Sequence, residues 1–166
     1  LRGPFIGATS FKYRGEALTV MNANRTSLEH TLGVDLLYYH HRYRSFVFVQ
    51  YKRMTPSRDG PVFRPQGATY HAELARMREA DEATRLTTAP LTPDDYRLWP
   101  RAFFFKLCPD VELDADATQL IKGMYLPLDY WDVLSAAGER GPRGGIVISY
   151  DSARRWINNT LFVELV

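Results

Sequence analysis

The chain has 166 residues, 45% hydrophobic and 24% charged, a length and balance that suit a globular domain with a sizeable core. Its formal charge of +2 excludes the broad basic footprint of proteins that coat nucleic acid, though not an enzyme that meets nucleic acid along one local patch. No apolar run reaches the roughly 18 residues that a membrane span needs, and no secretory signal is present.

One cysteine, Cys108, leaves no internal disulfide to form and points to a reducing, cytoplasmic setting. Asn24-Arg25-Thr26 and Asn158-Asn159-Thr160 match the glycosylation pattern, which is common by chance. The start at Leu1 and the apolar end LFVELV suggest a single domain, residues 1–166, that belongs to a longer protein.

In chain order, Asn24 or Thr26 is the expected cap of a short helix that runs through Thr31 and ends at Gly33. Val34–His40 and Ser45–Lys52 read as strands joined by the charged turn HRYR, an antiparallel hairpin. Thr55–Gly67, rich in proline and glycine, reads as a surface connection able to flex. A polar helix follows over Tyr70–Thr84 with Leu74 and Met77 on its inner side, then a strand over Ala102–Leu107. The acidic stretch DVELDADA lacks the glycine and terminal glutamate of a calcium loop and reads as solvated. Pro127–Ala137 is an expected helix carrying Tyr130, Trp131 and Leu134. After the glycine-rich loop GERGPRGG, which lacks a phosphate-loop layout, Gly145–Tyr150 reads as a strand. Asp151 or Ser152 then caps a helix in which Ile157, Leu161 and Leu165 recur every four residues. Mixed strands and helices give an α/β class, or α+β, with a central mixed sheet.

The hairpin poses a chemical question at FVFVQYKRM. A strand apolar on both faces belongs between layers, yet this one ends in Gln50 and Lys52. Buried amides and ammonium groups need partners. A turn centred on Arg42 and Tyr43 sets Asp35 opposite Gln50, and a register two residues away sets it opposite Lys52. Either way the three share one face at the end remote from the turn, because side chains alternate along a strand. An ion pair of Asp35 with Lys52 satisfies that geometry. Glu29 supplies a second acid, since a chain reversal at Gly33 returns it to the same strand end. Two carboxylates, an amide and a lysine together fit a hard-cation site for Mg²⁺, with Mn²⁺ able to substitute.

These residues, Glu29-x-Thr31-x-Gly33-x-Asp35 followed by Gln50-x-Lys52, resemble the PD-(D/E)XK nuclease superfamily. The QxK form is similar to that of methyl-directed type IV restriction enzymes, archaeal Holliday-junction resolvases and nuclease domains of anti-phage defence proteins. The likeness covers Ser27 to Arg53. It implies a restriction-endonuclease-like α/β/α sandwich around a mixed sheet and Mg²⁺-dependent hydrolysis of DNA phosphodiesters in a restriction or defence protein. It also implies catalytic roles for Glu29, Asp35, Gln50 and Lys52. Asp35, Glu29, Gln50 and the Tyr51 carbonyl would hold the metal, and Lys52 would orient the attacking water. Gln50 departs from the acid that many relatives carry, which lowers the site's charge. A nucleic-acid-binding module with little catalysis, or a structural interaction domain, fits the same letters.

Arg53, beside Lys52, is a phosphate-contact candidate, and His30, beside Glu29, is either a substrate contact or a surface histidine. His40 to Arg44 form a basic, aromatic turn that suits either phosphate or solvent. Lys12 and Arg14 are further basic residues with no positional argument. The expected partners are DNA, with RNA not separated from it by the motif, a second copy of the chain for double-strand cleavage, and a fused sensor or regulatory domain.

Overall fold

A computed structural model describes residues 7–13, 15–23, 27–87, 92–93, 101–109, 122–142 and 144–165. The expected caps Asn24 and Thr26, Arg14, the Asn24 glycosylation match and the acidic stretch that begins at Asp110 lie outside them. The elements are β1 (Ala8–Tyr13), β2 (Glu16–Asn22), α1 (Ser27–Leu32), β3 (Leu36–His40), β4 (Ser45–Arg53), α2 (Ala68–Thr87), β5 (Phe103–Cys108), β6 (Met124–Pro127), α3 (Leu128–Ala137), α4 (Tyr150–Ala153) and α5 (Asn159–Leu165). The protein is mixed α/β, with one six-stranded sheet in the order β1-β2-β3-β4-β5-β6. Neighbours are antiparallel in β1–β2, β2–β3, β3–β4 and β5–β6. Between β4 and β5 the hydrogen bonds Phe48 N–H to Ala102 C=O (2.8 Å) and Met54 N–H to Cys108 C=O (2.7 Å) keep one sequence offset, the mark of parallel strands. A parallel step needs a crossover, and α2 lies in that connection. No helix among the described residues is long and apolar enough to cross a membrane.

The chain forms two compact units, one of Leu1–Gln50 with Ala68–Phe103, the other of Tyr51–Gly67 with Phe104–Val166. In the first, β1 to β4 form a meander. The β3–β4 register pairs Leu36 with Val49 and Tyr39 with Phe46, the one set by a turn centred on Arg42 and Tyr43. Burial is deepest at the end remote from the turn, where Leu37, Tyr38, Phe48 and Val49 are buried, whereas Phe46 near the turn is 41% exposed. The expectation of a hairpin covered throughout therefore holds only for its far half. The helix expected over Tyr70–Thr84 extends to Ala68–Thr87, with Leu74 and Met77 buried as its spacing implies. Asp81 of α2, buried as well, is paired with Arg101 at 2.6 Å, so a carboxylate enters this interior with a cation attached.

In the second unit, β5 and β6 carry helices on opposite faces. Phe105 packs on Trp131 of α3 (centroids 4.2 Å). Tyr125, whose side chain leaves β6 on the other face, stacks on Phe162 of α5 at 3.8 Å. Trp131 also meets Phe63 (5.7 Å), and Thr55 bridges to Val62 and Phe63 to Ile148. Thr55–Gly67 is mostly exposed, as a surface connection should be, but it is pinned at several points and does not hang free. Two further expectations are corrected. Gly145–Tyr150 is no regular strand: Ile146 and Ile148 make isolated bridges to Arg140 and Phe63, and Tyr150 already begins α4, capped by Ser149. The C-terminal helix is two pieces. Arg154 adopts φ +52°, which ends α4. Ile157 pairs with Tyr125 in strand fashion, and Asn158 Oδ1 accepts the Leu161 N–H at 2.8 Å to begin α5. Its buried residue is Phe162, while Leu161 and Leu165 are exposed.

Candidate functional site

In the first unit the motif is positioned mainly by backbone. The Gly33 N–H donates to the Glu29 carbonyl at 2.8 Å, and Gly33 takes φ +68°, so α1 closes in a left-handed glycine cap. The next residues run straight into the sheet. Asp35 N–H donates to the Val49 carbonyl (3.0 Å), and the Asp35 carbonyl accepts from Ala23 N–H (2.8 Å). The expected place of Asp35, within the ladder opposite Gln50, is corrected. It lies in a bend just before β3, because the two-residue link from Gly33 delivers it out of register and Val49 takes its N–H. The Asp35 backbone lies beside β4 at the end of the hairpin remote from the turn, and the Gly33 cap ties it in sequence to the Glu29 carbonyl. Gln50 is buried, and Glu29 and Asp35 are half-buried.

Beyond Gln50, β4 continues into the second unit, where Tyr51 and Lys52 are half-buried and Arg53 is exposed. Alternation puts Lys52 on the Gln50 side of the strand and Tyr51 and Arg53 on the other. His30 is exposed on α1. Of the basic turn, Arg42 pairs with Glu16, and His41 Nε2 lies 2.8 Å from Thr19 Oγ1.

Reading the sequence missed Lys106. It stands on β5 in FFFKLC and is 1% exposed. Its Nζ lies 5.1 Å from the Tyr51 ring centroid and 4.7 Å from that of Tyr125. Cys108 follows on the same side of the strand, and a Cβ on Gly123 would stand 3.1 Å from Lys106 Cε and 3.3 Å from Cys108 Sγ. The glycine leaves room for both. Burial pushes the Lys106 pKa below the usual lysine value, partly offset by the Cys108 charge, and pushes the Cys108 thiol up. The only signal in the sequence was one charged letter inside an apolar run.

Lys106 supplies a stability prediction. Two cation–π contacts are worth about 2 kcal/mol each when desolvated, withdrawing an ammonium from water costs several kcal/mol, and replacing a buried charge by a well-packed apolar side chain of similar volume is often stabilising by about 1–4 kcal/mol. Lys106→Met, similar in length and apolar, should raise the unfolding midpoint at pH 7 by several degrees, at about 2–4 °C per kcal/mol for a chain of this size. The unfolded lysine binds more protons than the folded one between the depressed pKa and 10.5, so wild-type stability gains from this group as pH rises through that window. The advantage of Lys106→Met should therefore shrink toward pH 10, as thermal melts of the two proteins across pH would show.

Among the described residues no group of three or more His, Cys, Asp or Glu side chains gathers as a metal site. No family model, curated protein or solved structure matches the chain.

Proposed function

We propose that the protein is a divalent-metal-dependent endonuclease that hydrolyses DNA phosphodiester bonds, as the effector domain of a bacterial restriction or anti-phage defence protein. The observation that carries the reading is the placement of Asp35. Its peptide is held by Ala23 and by Val49, next to Gln50, directly after the glycine-capped turn that carries Glu29. The donor set is entirely oxygen: the Glu29 and Asp35 carboxylates, the Gln50 amide oxygen and the Tyr51 carbonyl. Hard donors of that kind fit Mg²⁺ or Mn²⁺.

A cation held there supplies Lewis-acid neutralisation of the phosphate's non-bridging oxygen. The remaining work falls to the chain. Asp35 and Glu29 would hold the cation. Lys52 donates to the attacking water and to the charge that develops on phosphorus-bound oxygen. His30, exposed on α1, contacts a flanking phosphate, whereas Arg53 leaves β4 on the side away from Lys52 and takes no part in the site. The leaving 3′ oxygen takes its proton from solvent.

Incubation of the protein with supercoiled plasmid DNA and with RNA, in Mg²⁺, Mn²⁺ or EDTA, tests the proposal. Nicking of DNA that EDTA abolishes is the expected result. Absence of cleavage in every metal, with no calorimetric heat of Mg²⁺ or Mn²⁺ binding, would instead leave a binding module of low site charge.

A further inference from the structure

The strand registers place one set of side chains on a single face of the first unit. Ser10 pairs with Thr19, Thr19 with Tyr39 and Tyr39 with Phe46, and paired residues share a face. Alternation adds Lys12 and Ala17 on one side of that row and Phe48 and Gln50 on the other. Within the row the groups are already in contact. Tyr39 and Phe46 lie 4.6 Å apart between centroids, and His41 meets Tyr39 at 4.9 Å. Thr19 Oγ1 is 2.8 Å from both Ser10 Oγ and His41 Nε2.

This part of the sheet is open. Phe46 is 41% exposed, Ser10, Lys12 and His41 are exposed, and Thr19 and Tyr39 are half-buried. No Asp or Glu of β1–β4 stands on this face: Glu16 lies on the other one, where it pairs with Arg42. Ordinary solvated strands carry charges of both signs. A face with two adjacent rings, hydroxyls, a histidine and a lysine, and no acid, matches what unpaired nucleotides need: ring faces for bases, polar and cationic groups for sugar and phosphate. A duplex has no free base faces to offer it.

We infer that Tyr39 and Phe46, with Lys12, His41, Thr19 and Ser10 around them, form a stacking platform for single-stranded nucleic acid on the sheet face that carries Gln50. Its relation to cleavage, that an unpaired segment on the platform leads along β4 to the hydrolytic centre, rests on the nuclease reading. Binding by the platform does not.

Fluorescence anisotropy in EDTA, with a labelled 20-mer of deoxythymidine and a mixed-sequence duplex of the same length, separates the two. The wild type should prefer the single strand. Loss of one stacked base weakens binding by about 5- to 150-fold, so Phe46→Ala and Tyr39→Ala should each show that loss, while Tyr39→Phe, which keeps the ring, should not. Lys12→Glu, an exposed change that spares the core, should weaken binding and flatten its salt dependence. Single-strand affinity unchanged in both Phe46→Ala and Lys12→Glu overturns the proposal, and so does equal or tighter binding of the duplex. Dimerisation that Phe46→Ala abolishes, with strand affinity intact, would assign the face to a second copy of the chain and equally overturn it. If the plasmid assay shows no cleavage but the anisotropy pattern holds, the platform stands and the nuclease reading falls.

Discussion

Lys52→Met is expected to lower plasmid nicking by about 10²–10³-fold, the usual loss when one preorganised donor to developing charge is removed, while the protein still melts within a few degrees of wild type. The two measurements together are what give the result meaning. Lys52 is half-buried near the end of β4, so methionine can occupy the path of its aliphatic stem and only the ammonium is lost. If the lysine exists to serve hydrolysis, the fold has little use for its charge. If it exists to neutralise a carboxylate, removing it leaves that carboxylate uncompensated; a fully buried pair would cost about 3–5 kcal/mol, and for the half-buried Lys52 and Asp35 solvent screening reduces this to about 1–3 kcal/mol. That would lower the midpoint by roughly 2–12 °C at about 2–4 °C per kcal/mol. A large drop in melting temperature with nicking per folded molecule unchanged would refute the hydrolytic role and favour the plain ion pair. Asp35→Ala is the companion. It should also silence nicking, and it should remove the Mg²⁺ heat that Lys52→Met leaves in place, because in the proposed site Asp35 holds the cation and Lys52 does not.

How much of the fold is legible in the sequence can be judged from particular residues. Gly33 is informative because few residues turn the chain left-handed at low cost, and a glycine after a short polar helix has few other uses. The β3–β4 register follows from the turn at Arg42 and Tyr43, since hairpin geometry is local. What fails is non-local. β1 and β2 escape a reading of the letters: the described residues of β1 are exposed, so ATSFKY shows little apolar alternation, and its partner strand alone reveals it. The every-four-residue pattern of Ile157, Leu161 and Leu165 looks helical, but Ile157 is claimed by Tyr125, and a tertiary partner outweighs a spacing. Gly145–Tyr150 has strand composition but only isolated partners. Lys106 is hidden because a strand buried on both faces shows no period, and nothing in FFFKLC announces two tyrosines from elsewhere in the chain.

Gly33→Ala carries the largest expected effect on the fold. At φ +68° an L-residue with a side chain loses about 1–2 kcal/mol to the left-handed conformation alone. Here there is a second, larger objection. A Cβ at this position would stand 2.6 Å from the Glu73 carbonyl oxygen of α2 and 3.3 Å from Arg76 Cβ. The first is backbone within a helical turn, so no side-chain rotation relieves it. Either α2 shifts or the turn between α1 and β3 opens, and that turn is what carries Glu29 and Asp35. We expect a loss of about 2–4 kcal/mol, a midpoint lower by roughly 4–16 °C, and nicking reduced further than the folded fraction explains. Gly144→Ala isolates the conformational part, since Gly144 has a similar φ of +76° with nothing within 4 Å of its added Cβ. It should lose only the 1–2 kcal/mol or so of left-handed strain and keep full activity per folded molecule. Equal destabilisation by the two substitutions would show that α2 yields freely to a methyl group at Gly33, and that the close approach of the two helices does not hold the Glu29–Asp35 turn in place.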